Sequence, residues 1–238
     1  MVTQLEEKQE PRKPRGRLEA TVLSRTRRRR QAATWWVLAA VLASGWWYPW
    51  LGLMVPLCMV GAWGIAAVRG RSWCNWMCPR GAFSDLVLAR VSPKRKMPAW
   101  LRSTGFRVLI LAALVTALVV RLSQVWGDPS RVGLVFLTML TITTGVAVVL
   151  ALTVHQRAWC TICPAGTVAS WIGRRKAPHL LVDQNTCRDC NRCAKVCPVQ
   201  LRPADYRSGG VMTDADCLKC GVCVTACPTT ALQRSHGR

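Results

Sequence analysis

The chain has 238 residues, of which 51% are apolar, yet it carries a formal net charge of +22. That combination excludes an ordinary soluble domain and leaves a basic nucleic-acid-binding surface or apolar spans flanked by basic loops. Charged and apolar residues separate into blocks, with the twelve tryptophans concentrated in and beside the apolar ones, so membrane lipid is the expected partner and nucleic acid is not.

Residues 1–31, which include "SRTRRRR" and two prolines, read as a disordered basic arm. No charge follows from Gln31 through Val68. The start, with its "VLAS", resembles a signal peptide, but the uncharged run continues past any cleavage point, so an uncleaved anchor is expected. One helix of that length would far exceed the ~30 Å hydrocarbon core, so Gly45, Pro49 and Gly52 mark a turn between spans at 33–48 and 51–68.

The next segment, "WCNWMCPRGAFS", places Cys74 and Cys78 four residues apart, which is one helical face. Pro79 disfavours helix at Cys78, so the chain should turn there, and Gly81 permits close backbone approach. The loop "PRGAFSDLVLARVSPKRK" predicts a short helix with Phe83, Leu86, Val87 and Val91 apolar. It suits either the membrane surface, with Arg90 and the Lys94–Lys96 cluster facing lipid phosphates, or the carboxy-terminal segment as its docking place.

A third span is expected at 106–126, with Arg121 near its end reaching the headgroups, and a fourth at 132–154. After it, "WCTICPAGTVAS" repeats the earlier motif with Cys160, Cys163, Pro164 and Gly166. Each motif thus follows a pair of spans, and residues 32–176 read as two copies of a helical hairpin with a cysteine motif. Cys74, Cys78, Cys160 and Cys163 are candidates for a thiolate-bound metal or additional cluster, for a redox-active dithiol set, or for buried structural thiols. Cys58, inside the second span, reads as a small apolar residue.

The strongest signal is the pair "CRDCNRCAKVCP" and "CLKCGVCVTACP", both C-x2-C-x2-C-x3-C-P, an internal duplication within residues 177–238. This spacing suits two cubane iron–sulfur clusters, and in two-cluster ferredoxins the fourth cysteine of each run serves the other cluster. The expected sets are Cys187, Cys190, Cys193 with Cys227, and Cys217, Cys220, Cys223 with Cys197. Zinc favours two C-x2-C pairs per ion and stable disulfides need an oxidising compartment, so both fit less well. Arg188, Arg192, Lys195 and Lys219 form either a solvated surface or a docking place for an acidic partner.

Residues 182–232 resemble the bacterial-type two-4Fe-4S ferredoxins, which are one-electron relays. In its order of motifs the stretch 30–232 resembles the NapH-type membrane components of quinol dehydrogenases and the wider NosR/NapH-like group. The resemblance implies oxidation of quinol from the membrane pool and delivery of electrons to an iron–sulfur or cytochrome partner subunit of a respiratory reductase system. Two departures stand out: the second motif has x2 where the family commonly has x3, and there is no large extracytoplasmic flavin domain.

The fold class expected is therefore an α-helical polytopic membrane protein with four transmembrane helices and a small α+β two-cluster ferredoxin-like domain. Basic residues crowd the arm, the 69–107 loop and the segment after His155, so both termini and the clusters are expected on the cytoplasmic side of the inner membrane. His155 is the one histidine near a span and no C-x-x-C-H occurs, which argues against haem; no nucleotide-binding motif is present either. A quinol site needs a proton acceptor at the membrane edge, for which His155 beside Gln156 is the candidate. Arg121, Gln124 and Asp128 are an alternative on the opposite face. Two other functions suit the same residues: a redox maturation or regulatory factor, and a membrane anchor of a redox complex. The spacing is silent on the direction of electron flow.

Overall fold

The computed structural model describes residues 15–174 and 180–234. Helix α1 (Arg15–Ser44) runs through much of the basic segment expected to be a disordered arm; residues 1–14 lie outside the described residues. Arginine and alanine are strong helix formers, and Arg27 is anchored by an ion pair to Asp85, so helix persists. The chain turns at Gly45 and passes through a 3-10 turn (Pro49–Leu53) into α2 (Met54–Arg69).

The later long helices are α6 (Thr104–Gln124) and α7 (Pro129–Thr153). Ser103 caps α6 through the Phe106 N–H, and Asp128 caps α7 through the N–H groups of Ser130 and Arg131, with Pro129 at the first helical position. Among the described residues three helices are long and apolar enough to cross a membrane: Pro49–Arg69, Thr104–Gln124 and Pro129–Thr153. The first of the four expected spans differs. The uncharged part of α1, Gln31 to Ser44, reaches only about 21 Å at 1.5 Å per residue, because Gly45 ends it early.

Gly52 and Gly133 explain how the turn packs on α7. A Cβ on Gly52 would fall 1.9 Å from the Gly133 carbonyl oxygen, and one on Gly133 would fall 2.1 Å from that of Pro49. Two backbones meet there with no side chain between them.

Between the long helices lie short ones: α3 (Ser72–Trp76), α4 (Pro79–Phe83) and α5 (Ala89–Val91), with a π turn at Ser84–Leu88 and a 3-10 turn at Ala99–Arg102. After α7 come α8 (Ala158–Ile162) and α9 (Pro164–Gly173). Leu101, Ala147, Ala158, Trp159 and Ile162 form a buried cluster beneath them.

The carboxy-terminal unit is a three-stranded antiparallel sheet with β1 (Leu180–Val182) between β2 (Val211–Met212) and β3 (Leu232–Arg234). Leu180 pairs with Met212 on one side and Arg234 on the other. Short helices α10 (Arg192–Lys195) and α11 (Val222–Ala226) complete it, and Leu180, Val182, Met212, Leu218, Val224 and Leu232 fill its core together with cysteine side chains.

Six residues of this unit other than Gly210 have positive φ, and they fall in matching pairs of the two cysteine runs: Asp189 with Lys219, Asn191 with Gly221, and Gln200 with Thr230. The repeat seen in the sequence is therefore a repeat of backbone hand. Left-handed residues are rare outside glycine, and alternation of right- and left-handed conformations turns successive N–H groups toward one concavity, an arrangement found around anions and iron–sulfur centres.

Candidate functional site

The two Cys-Pro motifs fold alike. Cys78 ends the turn after α3 with φ −66° and ψ 116°, and Pro79 opens α4; Cys163 has φ −58° and ψ 126°, and Pro164 opens α9. Each second cysteine is extended because the following proline ring forbids helix there, as its sequence predicts.

Two arginines then cross from one motif to the other. Arg71, three residues before Cys74, donates from Nη2 to the carbonyl of Cys160. Arg157, three residues before Cys160, donates from Nη1 to the carbonyl of Cys74 at 3.1 Å. The glycines make room for this exchange. A Cβ on Gly81 would lie 2.6 Å from the Cys74 carbonyl oxygen and 3.0 Å from Arg157 Nη1, and one on Gly166 would lie 2.7 Å from Arg71 Nη2. Both guanidinium groups are buried, and Arg157 also approaches the Cys160 sulfur at 3.6 Å.

Each buried arginine has a carboxylate from elsewhere. Asp85, in the π turn, receives Arg157 in a two-pronged pair (Nε to Oδ1 2.8 Å, Nη2 to Oδ2 2.6 Å), Gln31 at 2.8 Å, and Arg27. Asp216, the residue before Cys217, receives Arg71 at 3.0 Å and both terminal nitrogens of Arg107. Burial alone would raise both carboxyl pKa values, but Arg157 and Arg27 at Asp85, and Arg107 and Arg71 at Asp216, outweigh it and hold both below the ordinary carboxylate range.

Sequence reading missed Asp85, Asp216, Arg71, Arg107 and Arg157. The signal was present in the shared Arg-x-x-Cys of "RSWC" and "RAWC" and in the scarcity of acids, only 11 against 33 Lys and Arg. Few carboxylates are available to neutralise an arginine driven into the interior.

The four motif cysteines lie near one another: ionised, Cys74 would be repelled by thiolates at Cys160 and Cys163, and Cys78 by those at Cys74, Cys160 and Cys163. Burial, then Cys74, pushes the Cys78 thiol up to about 12. Such a thiol stays protonated when free and is a poor nucleophile, which weighs against the dithiol reading. A thiolate is favoured there only with a cation in place of the proton.

In the carboxy-terminal unit Cys197, Cys217, Cys220 and Cys223 line one cavity together with Leu180, Val199 and Met212. These four are the second expected set. Of the first set, Cys193 and Cys227 are buried in the unit's core and Cys187 packs against it, while Cys190 is exposed. Cys74 of the membrane-side motif packs against the same core, so the two cysteine regions adjoin. Among the described residues no three metal-binding side chains converge on one ion-sized point. A single zinc ion would require that convergence, whereas a cubane holds its four thiolates at separate corners. The donor set, the cavity and the left-handed turns fit clusters.

Comparison with known proteins adds the decisive observation. A family described as "4Fe-4S binding domain" matches twice, at residues 51–98 and 135–180, once over each Cys-Pro motif, and a "4Fe-4S dicluster domain" family matches residues 179–231. The ferredoxin-type protein NapH of Escherichia coli is 28% identical over 170 residues, 66% of this chain and 59% of that protein. The chain is similar to the NapH-like ferredoxin-type membrane proteins. An uncharacterised Methanocaldococcus jannaschii protein, MJ0749, is 25% identical over 72% of the chain and 67% of its own length, and Protein RdxA of Cereibacter sphaeroides is 24% identical over 72% of the chain. The match spans less than two thirds of NapH and 43% of RdxA. No solved structure matches. The matched families make this a ferredoxin-type 4Fe-4S electron-transfer protein, similar to NapH and RdxA.

His155 lies just beyond α7 and is 5% exposed, and its Nδ1 accepts the Arg157 backbone N–H at 3.2 Å. Burial, with Arg157, Lys94 and Arg102 adding to it against Asp85, lowers its pKa to about 4. The expectation that it takes up a proton near neutral pH therefore loses its basis. In this NapH-like chain the unfolded state binds a proton between pH ~6.5 and ~4 that the folded state does not, so acidification through that window should cost about 3 kcal/mol of stability. Thermal melting against pH should show the loss, and His155→Gln should remove it while leaving the fall below pH ~4 that protonation of the depressed carboxylates produces.

Proposed function

We propose that this NapH-like protein is a multi-pass inner-membrane subunit that takes electrons from quinol and passes them to a redox partner of a respiratory reductase system, with its cysteine-rich unit on the cytoplasmic side. Asp216 is the observation that carries the reading. Directly before Cys217, it is held by Arg71 and Arg107, and Arg71 also holds the Cys160 carbonyl. One side chain thus ties the ferredoxin unit to both the membrane-side motif and the start of α6, as a fixed electron path requires.

Cys187, Cys190, Cys193 and Cys227 would hold one cubane and Cys217, Cys220, Cys223 and Cys197 the other. When bound, the two clusters supply one-electron redox chemistry, matching in number the two electrons that a quinol yields. Cys74, Cys78, Cys160 and Cys163 would hold a further thiolate-bound centre. Each Arg–Asp–Arg set beside them carries one excess positive charge, which suits an anionic thiolate-ligated group. Leu180, Val199, Leu201 and Met212 keep water from the second set. In topology the apolar end of α1 would complete a fourth membrane segment, giving two hairpins each followed by a Cys-Pro motif.

Anaerobically prepared protein should contain roughly eight iron atoms for two cubanes, with matching acid-labile sulfide, and more if the paired motifs are loaded. Cys217→Ser should remove about half of the eight, and a quinol analogue should reduce the remaining centres, followed by electron paramagnetic resonance. Iron-replete protein inert to quinol would sink the dehydrogenase reading in favour of a maturation or regulatory role, and loss of partner assembly alone on removing the cysteines would favour an anchor.

A further inference from the structure

A groove of about 1030 Å3 separates the carboxy-terminal unit from the membrane-side elements. Its walls carry Arg28 of α1, Arg90 of α5, Lys94 and Lys96 of the following loop, and Lys195 of α10. None of these five has a carboxylate partner among the described residues, and the single lining carboxylate, Asp85, is already taken by Arg27 and Arg157. Five cations facing one cavity repel one another unless an anion enters.

The groove is built rather than incidental. The lysine-bearing loop is held at both ends: the Arg95 N–H donates to the Val154 carbonyl at 2.8 Å, the Met97 N–H to Gln200 Oε1 at 2.9 Å, and Gln200 Nε2 to the Arg95 carbonyl at 2.8 Å. Lys94 and Lys96 therefore flank fixed backbone. The level of the groove is also defined. Gln31, where the uncharged stretch of α1 begins, and His155 and Gln156, just past the last residue of α7, line it. It opens where the apolar helices end, which is the headgroup zone.

We infer that this groove binds the phosphate-bearing headgroup of an anionic phospholipid. A neutral quinol ring needs no such set of cations, and basic pockets at the cytoplasmic ends of membrane helices suit lipid phosphates. The volume is that of a small-molecule site, not of a protein footprint. Because Lys195 comes from the cysteine-rich unit and the other four from the membrane side, the lipid phosphate bridges the two and clamps the unit to the bilayer. The inference rests on the membrane placement proposed above but not on cluster ligation or quinol chemistry.

The test uses the full chain in nanodiscs of phosphatidylcholine with or without phosphatidylglycerol, reading bound lipid by mass spectrometry and the melting midpoint. Wild-type protein should enrich phosphatidylglycerol beyond the disc composition and melt higher with it. The K94Q/K96Q/K195Q variant should lose that preference by about fivefold per charge, roughly hundredfold together, while matching wild type in phosphatidylcholine alone. Equal retention of both lipids by wild type, or an unchanged preference in the variant, overturns the inference. If inorganic phosphate alone raises the midpoint as much in phosphatidylcholine discs, the ligand is soluble phosphate and the lipid source is wrong. If polyglutamate binds while phosphatidylglycerol is not enriched, the groove takes an acidic protein and the lipid assignment falls.

Discussion

Replacing Asp85 by alanine is expected to destabilise the chain by about 3–5 kcal/mol, the cost of leaving a buried charge without its partner. The residue stranded is Arg157, with a fully buried side chain and two hydrogen bonds to this one carboxylate. Arg27 and Gln31 lose their acceptor as well, so α1 loosens from the π turn. The double variant D85A/R157M should recover much of the loss, because an apolar pair of similar volume carries no stranded charge. Thermal melting of single and double variants measures the coupling; a double variant no more stable than D85A would refute this electrostatic account. The pH sign follows from the depressed carboxyl pKa. The stabilisation is fully present above the unfolded value near 4 and is lost as pH falls through the lower folded value.

Asp216→Ala is expected to act on coupling between units. It removes the acceptor shared by Arg71, which is 1% exposed at the side chain, and Arg107, which is 9% exposed. Two guanidinium groups are then left facing each other, at a cost of about 3–5 kcal/mol. Among the described residues the other side-chain hydrogen bonds between the carboxy-terminal unit and the membrane side, Gln200 with the loop and Arg102 with the Val199 carbonyl, have neutral acceptors and are worth less. Amide exchange should therefore quicken across the backbone of α3 and α8 and in the turn before Cys217, while the sheet keeps its protection because its own core is untouched. Unchanged exchange at α3 and α8 in D216A would show that the latch does not hold the units together.

Much of the local structure was legible in the sequence because its causes are local. Proline after Cys78 and Cys163 forces an extended residue and opens a new helix, and both turns appear where they were expected. Spans two to four follow from long apolar runs and end within a few residues of the expected limits. The first span is shorter than expected because composition reveals how far charge is absent but not where a helix stops, and α1 joins basic and apolar halves without a break before Gly45. The end of the central loop is tied to the carboxy-terminal unit by Gln200, which accepts the Met97 N–H and donates to the Arg95 carbonyl, a pairing between residues too distant in the chain to be read from sequence.

Sequence alone determined the cysteine spacing, the repeat of the two runs and the alternation of apolar and basic blocks, since each depends only on neighbours along the chain. The tertiary structure decided which arginine reaches which carboxylate. Arg71 reaches across to the Cys160 carbonyl and to Asp216, and Arg157 to the Cys74 carbonyl and to Asp85. Charges so far apart in the chain have no local reason to pair. They do so because folding removes water from around these arginines, and a buried guanidinium is tolerable only where a carboxylate and carbonyls replace that water.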